Sequence, residues 1–126
     1  TLRSAKAGWN KRIIAVFQPH LFSRTRDFFR EFSVALTIAD IVLITDIYPA
    51  REKPIPGVTS KLIYDILLEK MEDNCYLVPD LDDLKSSLDK IIKPGDMLIT
   101  MGAGDIWRYS ELYSKSLSSY RNGVQS

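Results

Sequence analysis

Four short apolar runs divide the chain. They are KRIIAVF from Lys11 to Phe17, DIVLITD from Asp40 to Asp46, CYLVP from Cys75 to Pro79, and DMLITMG from Asp96 to Gly102. None alternates apolar with polar positions. A strand buried on one face only would alternate, so continuous runs of this length predict strands covered on both faces. The segments between them change period. Phe28, Phe29, Phe32, Leu36 and Ala39 recur at helical spacing after Ser23, which is a good N-cap residue. Leu62, Ile63, Ile66, Leu67 and Lys70 do so in a helix expected from Ser60 to about Met71. Asp80 is placed to cap a third helix, LDDLKSSLDKII, which Pro94-Gly95 would end.

The two ends read as helical as well. TLRSAKAGW, at the start, has the character of a helix tail whose beginning lies upstream, as in a domain cut from a larger protein. Asp105 would cap a last helix that fades into the polar tail SYRNGVQS. The predicted order is therefore α-β-α-β-α-β-α-β-α. That order gives an α/β three-layer sandwich, with a mostly parallel sheet and helices on both faces. The stretch from Pro49 to Thr59, PAREKPIPGVT, is a loop stiffened by three prolines and could conceal a further antiparallel strand.

Composition narrows the function classes. The 126 residues suit a single domain with a real core. A net charge of +1 argues against a nucleic-acid binder, which would show a strong basic excess. No apolar run approaches the roughly 20 residues needed to span a bilayer, and the first residues do not read as a secretory leader. The single cysteine, Cys75, lies within NCYLV and reads as a buried core thiol, in keeping with a reducing cytoplasm.

In open parallel sheets, ligands bind beyond the carboxyl ends of the strands. Three segments fall there: Gln18–Arg26, Asp46–Thr59 and Gly102–Asp105. In the first, His20 leaves a strand end, and Arg24 and Arg26 lie in the opening turn of a helix. The positive end of a helix disfavours cations, so arginines there are costly unless an anion lies close by. Arginine's planar fork matches a carboxylate or phosphate, and free amides at the helix start add donors. His20 could hydrogen-bond a ligand or pass a proton. The competing reading is a surface arginine pair bonded to Asp27 or Glu31, with His20 as a turn residue. The second segment contributes Asp46, Tyr48, Arg51 and Glu52, or else a purely structural crossover. The third, GAGD, is only a weak phosphate-loop pattern and reads more simply as a tight turn. Phe28, Phe29 and Phe32 read as core. No catalytic triad and no metal-ligand spacing is legible.

Taken together, VFQPHLFSRTRDF, DIYPAREKPIPGVTS and GDMLITMGAGDI resemble the carboxy-terminal domain of the UDP-N-acetylmuramate–L-alanine ligase family of Mur ligases. The resemblance extends over nearly the whole chain. It implies a Rossmann-like fold and residues 1–126 as one amino-acid-binding domain of a three-domain, cytoplasmic enzyme, packed against its own central and amino-terminal domains. The implied reaction joins L-alanine to the lactyl carboxylate of UDP-N-acetylmuramate through an acyl phosphate. ATP and Mg2+ would be bound mainly by the central domain and none by this part, which alone would be inactive. No catalytic side chain is expected here. In the L-alanine pocket, Arg24 would hold the substrate carboxylate and His20 would line the same space. Arg26, Asp46, Tyr48 and Arg51 are secondary candidates. Leu21 stands where many members carry arginine, so the pocket either does with Arg24 alone or recruits another cation, for which Arg51 is a candidate. The alternatives are the carboxy-terminal domain of a murein tripeptide ligase and a non-catalytic α/β module that binds a small anion.

Overall fold

A computed structural model describes residues 12–102. The apolar runs become four strands: β1 (Ile13–Phe17), β2 (Ile41–Ile44), β3 (Cys75–Leu77) and β4 (Met97–Met101). They form one sheet in the order β3-β2-β1-β4, and every pairing is parallel. Three helices connect them: α1 (Phe22–Leu36), α2 (Lys61–Met71) and α3 (Leu84–Ile91).

The pleat sends alternate residues to opposite faces. Ile13, Ala15, Val42 and Ile44 pack with Leu36 of α1 and with Ile63 and Leu67 of α2. Ile14, Val16, Ile41 and Leu43 pack with Leu84 and Leu88 of α3. Strands β1 and β2 are thus buried on both faces, as their unbroken apolar runs require, whereas at the sheet edges Tyr76 of β3 is exposed and β4 is half-buried. Right-handed crossovers explain the arrangement. The first two connections step outward from β1 over one face. The third returns past β1 to β4 and must use the other.

Boundaries differ from the sequence expectation in instructive ways. Ser23 lies inside α1, and Leu21 occupies the capping position without a side-chain cap. Ser60 precedes α2 but does not cap it; its hydroxyl donates to the Thr45 carbonyl at 2.5 Å. Asp80 caps a 3-10 turn, Leu81–Asp83, by accepting from the Asp82 amide, and α3 follows. Phe29 and Phe32 pack against the core, but Phe28 is 48% exposed because its position lies at the margin of the buried stripe of α1. The proline-rich loop contains no antiparallel pairing among the described residues. Its one bridge, His20 to Tyr48, is parallel. The helices expected at the two ends, with Asp105, lie outside the described residues.

At the amino edge of the sheet, Arg12 ties β1 to the turn before β4. Its Nη2 donates to Asp96 Oδ2 at 2.6 Å and to the Ile91 carbonyl at 2.7 Å, and its Nε donates to Asp96 Oδ1 at 3.2 Å. The Lys93 amide donates to the same carboxylate at 2.8 Å. Burial alone would raise the Asp96 pKa, but the bonds from Arg12 and Lys93 outweigh it and hold the carboxyl below its ordinary value. A lowered carboxyl pKa stabilises the fold above the unfolded value of about 3.9, and that contribution is lost as pH falls through the folded value. Asp96→Asn should therefore cost about 1–3 kcal/mol at neutral pH. Urea unfolding at a series of pH values should show this deficit shrinking in acid. Leu67→Ala, at a fully buried position, should cost about 2–5 kcal/mol by leaving a cavity.

Candidate functional site at the carboxyl edge

Strand β1 runs out at Gln18, whose amide still donates to the Met101 carbonyl at 2.9 Å. Pro19 has no N–H to place in the ladder, so the strand pairing can end there without an orphaned donor. Beyond it the chain pairs a second time. The Tyr48 amide donates to the Pro19 carbonyl at 2.8 Å, and the Leu21 amide donates to the Tyr48 carbonyl at 2.9 Å. This bridge stacks the rings of His20 and Tyr48, with centroids 6.0 Å apart and planes 22° from parallel. Both residues are half-buried.

The backbone here is strained. Leu21 has φ 70° and ψ 140°, and Ala50 has φ 53°, conformations that L-residues with a Cβ rarely adopt. Leu21 is held in place from both sides. Its amide is taken by Tyr48, while its carbonyl accepts from the Thr25 amide at 3.1 Å and the Thr25 hydroxyl at 2.8 Å.

The anion that the start of α1 calls for comes from within the chain. Glu52, in the proline-rich loop, accepts from the Ser23 amide at 2.9 Å and from the Ser23 hydroxyl at 2.5 Å. The first amides of a helix have no partner within it, and its positive end favours a carboxylate. Glu52 meets both needs from 29 residues away. The Ser23 hydroxyl first, then the Ser23 and Phe22 amides and the charge of Arg26, hold its carboxyl below the ordinary value. In the sequence Glu52 was legible only as one more polar loop residue, since nothing local pairs it with Ser23.

The other candidates divide clearly. Arg26 donates through Nε to its neighbour Asp27 at 2.9 Å. The side chains of Arg24 and Arg51 are exposed and have no ion-pair partner among the described residues. Asp46 lies at the carboxyl end of β2, its amide donating to the Pro79 carbonyl at 3.3 Å. Lost hydration and then the like charge of Asp80 raise the pKa of its carboxyl. Gln18 is only 5% exposed, and its Oε1 has no hydrogen-bond partner among the described residues. The only sequence signal for it was a polar residue closing an apolar run. Cys75 is buried, and burial, followed by the charge of Asp73, raises its thiol pKa. That suits a packing role rather than a nucleophile. Among the described residues no group of three His, Cys, Asp or Glu is placed to hold a metal ion, so the magnesium implied by the resemblance is not assigned to any of them. Of the GAGD turn, only Gly102 is described, with φ 145°.

The strand order turns back between β1 and β4, and that turning point is where open α/β sheets receive ligands. The segment after β1 carries His20 and Arg24, and the loop after β2 brings Tyr48 and Arg51 to the same edge. A mainly apolar groove between α1 and β4 is lined chiefly by Phe17, Phe32, Leu36, Ile38 and Met101, with Arg30, Glu31 and Thr37 also in its wall.

A four-stranded, all-parallel sheet with helices on both faces places the chain in the Rossmann-like α/β class. The chain belongs to the Mur ligase family: the pattern described as "Mur ligase, glutamate ligase domain" matches residues 1–104. The chain is 58% identical to the UDP-N-acetylmuramate–L-alanine ligase of Cutibacterium acnes over 95 residues, which are 75% of this chain and 20% of that protein. It is 46% identical over 127 residues to the enzyme of the same name from Pelodictyon phaeoclathratiforme, 98% of this chain and 26% of that protein. With the enzyme of that name from Geotalea uraniireducens it shares 42% over 117 residues, 93% and 26%. The chain thus spans between a fifth and about a quarter of the length of these relatives.

The Asp46–Asp80 pair can be tested directly. Asp80→Asn should lower the Asp46 pKa only part of the way to its ordinary value, because lost hydration is the larger cause. An NMR titration of the Asp46 carboxyl carbon would read this. An unchanged value would mean that the two acids do not sense each other.

Proposed function

We propose that this chain is the amino-acid-binding domain of an ATP-dependent ligase that joins L-alanine to the lactyl carboxylate of UDP-N-acetylmuramate. Residues 1–126 then form one domain of a larger, cytoplasmic, three-domain enzyme in peptidoglycan precursor synthesis. The observation that carries the reading is Arg24. It is exposed in the first turn of α1, four residues after His20, whose ring stacks on Tyr48, in a chain similar to enzymes of that name. The internal cap from Glu52 satisfies the helix end and leaves the Arg24 guanidinium available to an outside carboxylate.

The chemistry divides between domains. ATP phosphorylates the lactyl carboxylate to an acyl phosphate, the amine of L-alanine attacks its carbonyl, and the tetrahedral intermediate expels phosphate. Magnesium, when bound, neutralises phosphate charge. The part assigned to this chain is positioning. Arg24 holds the alanine carboxylate in a forked contact, His20 and Tyr48 wall the pocket, and the amine is held where it meets the acyl phosphate. Arg26, taken up by Asp27, and Asp46 stand further from this role.

The test is phosphate release by the full-length enzyme with ATP, magnesium and UDP-N-acetylmuramate. Release on adding L-alanine supports the reading. Release only with the tripeptide places the protein among the recycling ligases, and none with either leaves a non-catalytic anion-binding module. Residues 1–126 alone should release no phosphate above blank. Arg24→Ala in the full-length enzyme should lower kcat/KM for alanine about 10- to 100-fold, the scale of one charge-assisted hydrogen bond. An unchanged alanine KM and kcat would remove Arg24 from the pocket.

A further inference from the structure

Two short segments at the carboxyl edge are tied to each other at both ends. At one end the Tyr48 amide donates to the Pro19 carbonyl at 2.8 Å, the Leu21 amide donates to the Tyr48 carbonyl at 2.9 Å, and the rings of His20 and Tyr48 stack. At the other end the Glu52 carboxylate accepts from the Ser23 amide at 2.9 Å and from the Ser23 hydroxyl, and the Phe22 amide adds to these bonds. Between the ties lie two residues in strained backbone, Leu21 with φ 70° and Ala50 with φ 53°. The Glu52 amide closes the turn over Ala50 by donating to the Pro49 carbonyl at 2.9 Å. Strain of this kind persists only where the surroundings over-determine it. Leu21, at the capping position of α1, offers no side-chain cap. A Ser, Thr, Asn or Asp there would serve the helix by itself. Bringing the acceptor from 29 residues away adds what a local cap cannot: it fixes the loop that carries Tyr48 against the helix that follows His20.

We infer that Glu52 is a positioning residue that sets amino-acid selectivity: by holding the Tyr48 loop on the start of α1, it fixes the His20–Tyr48 wall at the width a small side chain needs. Glu52 itself touches no ligand. With its contact to Ser23 broken, only the bridge joins the two segments, and relief of the strain at Leu21 and Ala50 lets the loop shift on the helix. A wall that gives way admits a longer side chain. The inference rests on the reading of His20 and Tyr48 as pocket walls above for its ligand, and on the two ties for its geometry.

The experiment compares L-alanine with L-2-aminobutyrate, one methylene longer, in the full-length enzyme with ATP, magnesium and UDP-N-acetylmuramate. The readout is the ratio of the two kcat/KM values. That ratio does not depend on how much of a preparation is folded, so a loss of stability alone cannot move it. The wild type should favour alanine about 10- to 200-fold, the range that one methylene commands. Glu52→Ala should cut this preference about 5-fold or more, the lower end of ordinary coupling between distinct sites. It should also raise the alanine KM and leave the KM values for ATP and UDP-N-acetylmuramate unchanged. Glu52→Gln retains an acceptor for the Ser23 amide and should keep most of the preference. Ser23→Ala removes one donor, should give a smaller loss in the same direction, and serves where Glu52→Ala does not fold. The inference is overturned if the wild type does not discriminate, if the variants keep the wild-type ratio, or if only kcat falls. The ligase reading fails separately. In the 126-residue chain, nuclear Overhauser contacts between the His20 and Tyr48 rings should weaken in Glu52→Ala. If they weaken while the full-length enzyme releases no phosphate with alanine, the reaction is sunk and the positioning by Glu52 stands. If they stay unchanged, the positioning role is overturned whatever the enzyme does.

Discussion

Strand β1 is the constraint on which the rest depends. It has a parallel partner on each side, β2 and β4, and its residues Ile13 to Val16 are fully buried. A strand in that position leaves no polar backbone group to solvent and no side chain to water. Both ladders and both helical layers must form for it to be satisfied. The unbroken apolar runs, the split of α1 and α2 from α3 across the sheet, and the turning point between β1 and β4 all follow from this. Arg12 and Asp96 close the amino end of the arrangement.

That carboxyl end is built by a second, looser level of contacts. Beyond Gln18 the segments after β1 and β2 rejoin through the His20–Tyr48 bridge and the contacts of Glu52 with the start of α1. These contacts hold strained residues in place and rely on one carboxylate from a proline-stiffened loop. The prolines reduce the freedom the loop loses on ordering, so a single charged contact suffices to set its position. The buried Ser60 hydroxyl, bonded to the Thr45 carbonyl, anchors the loop's other end to β2. The edge is thus rigid enough to align side chains but lies outside the cooperative core.

The electrostatics at this edge invert the simplest expectation. Arginines at a helix start suggested an external anion neutralising the helix end. The helix end is already neutralised by Glu52, and Arg26 by Asp27. Among the described residues Arg24 and Arg51 have no ion-pair partner, and both are exposed. Structural charge is thus identified by its partners: Glu52 by Ser23 and Arg26 by Asp27.

The sequence by itself determined the architecture. Hydrophobic period alone distinguished four strands from the helices between them, and a parallel sheet followed; β1 and β2 are buried on both faces as that period implies, whereas Tyr76 of β3 is exposed and β4 is half-buried because each lies at an edge of the sheet. It also marked the carboxyl-edge segments and their arginines, through residue types misplaced for stability. Only the tertiary structure decided which charges were already paired. Ser23 read as a cap for its own helix, yet its cap is Glu52, which lies 29 residues further on and becomes its neighbour only when β1 and β2 pair. Gln18, whose Oε1 has no partner among the described residues, and the strain at Leu21 and Ala50 were equally hidden. Backbone dihedrals and hydrogen-bond partners at this edge depend on contacts between distant segments, and no pattern along the chain records them.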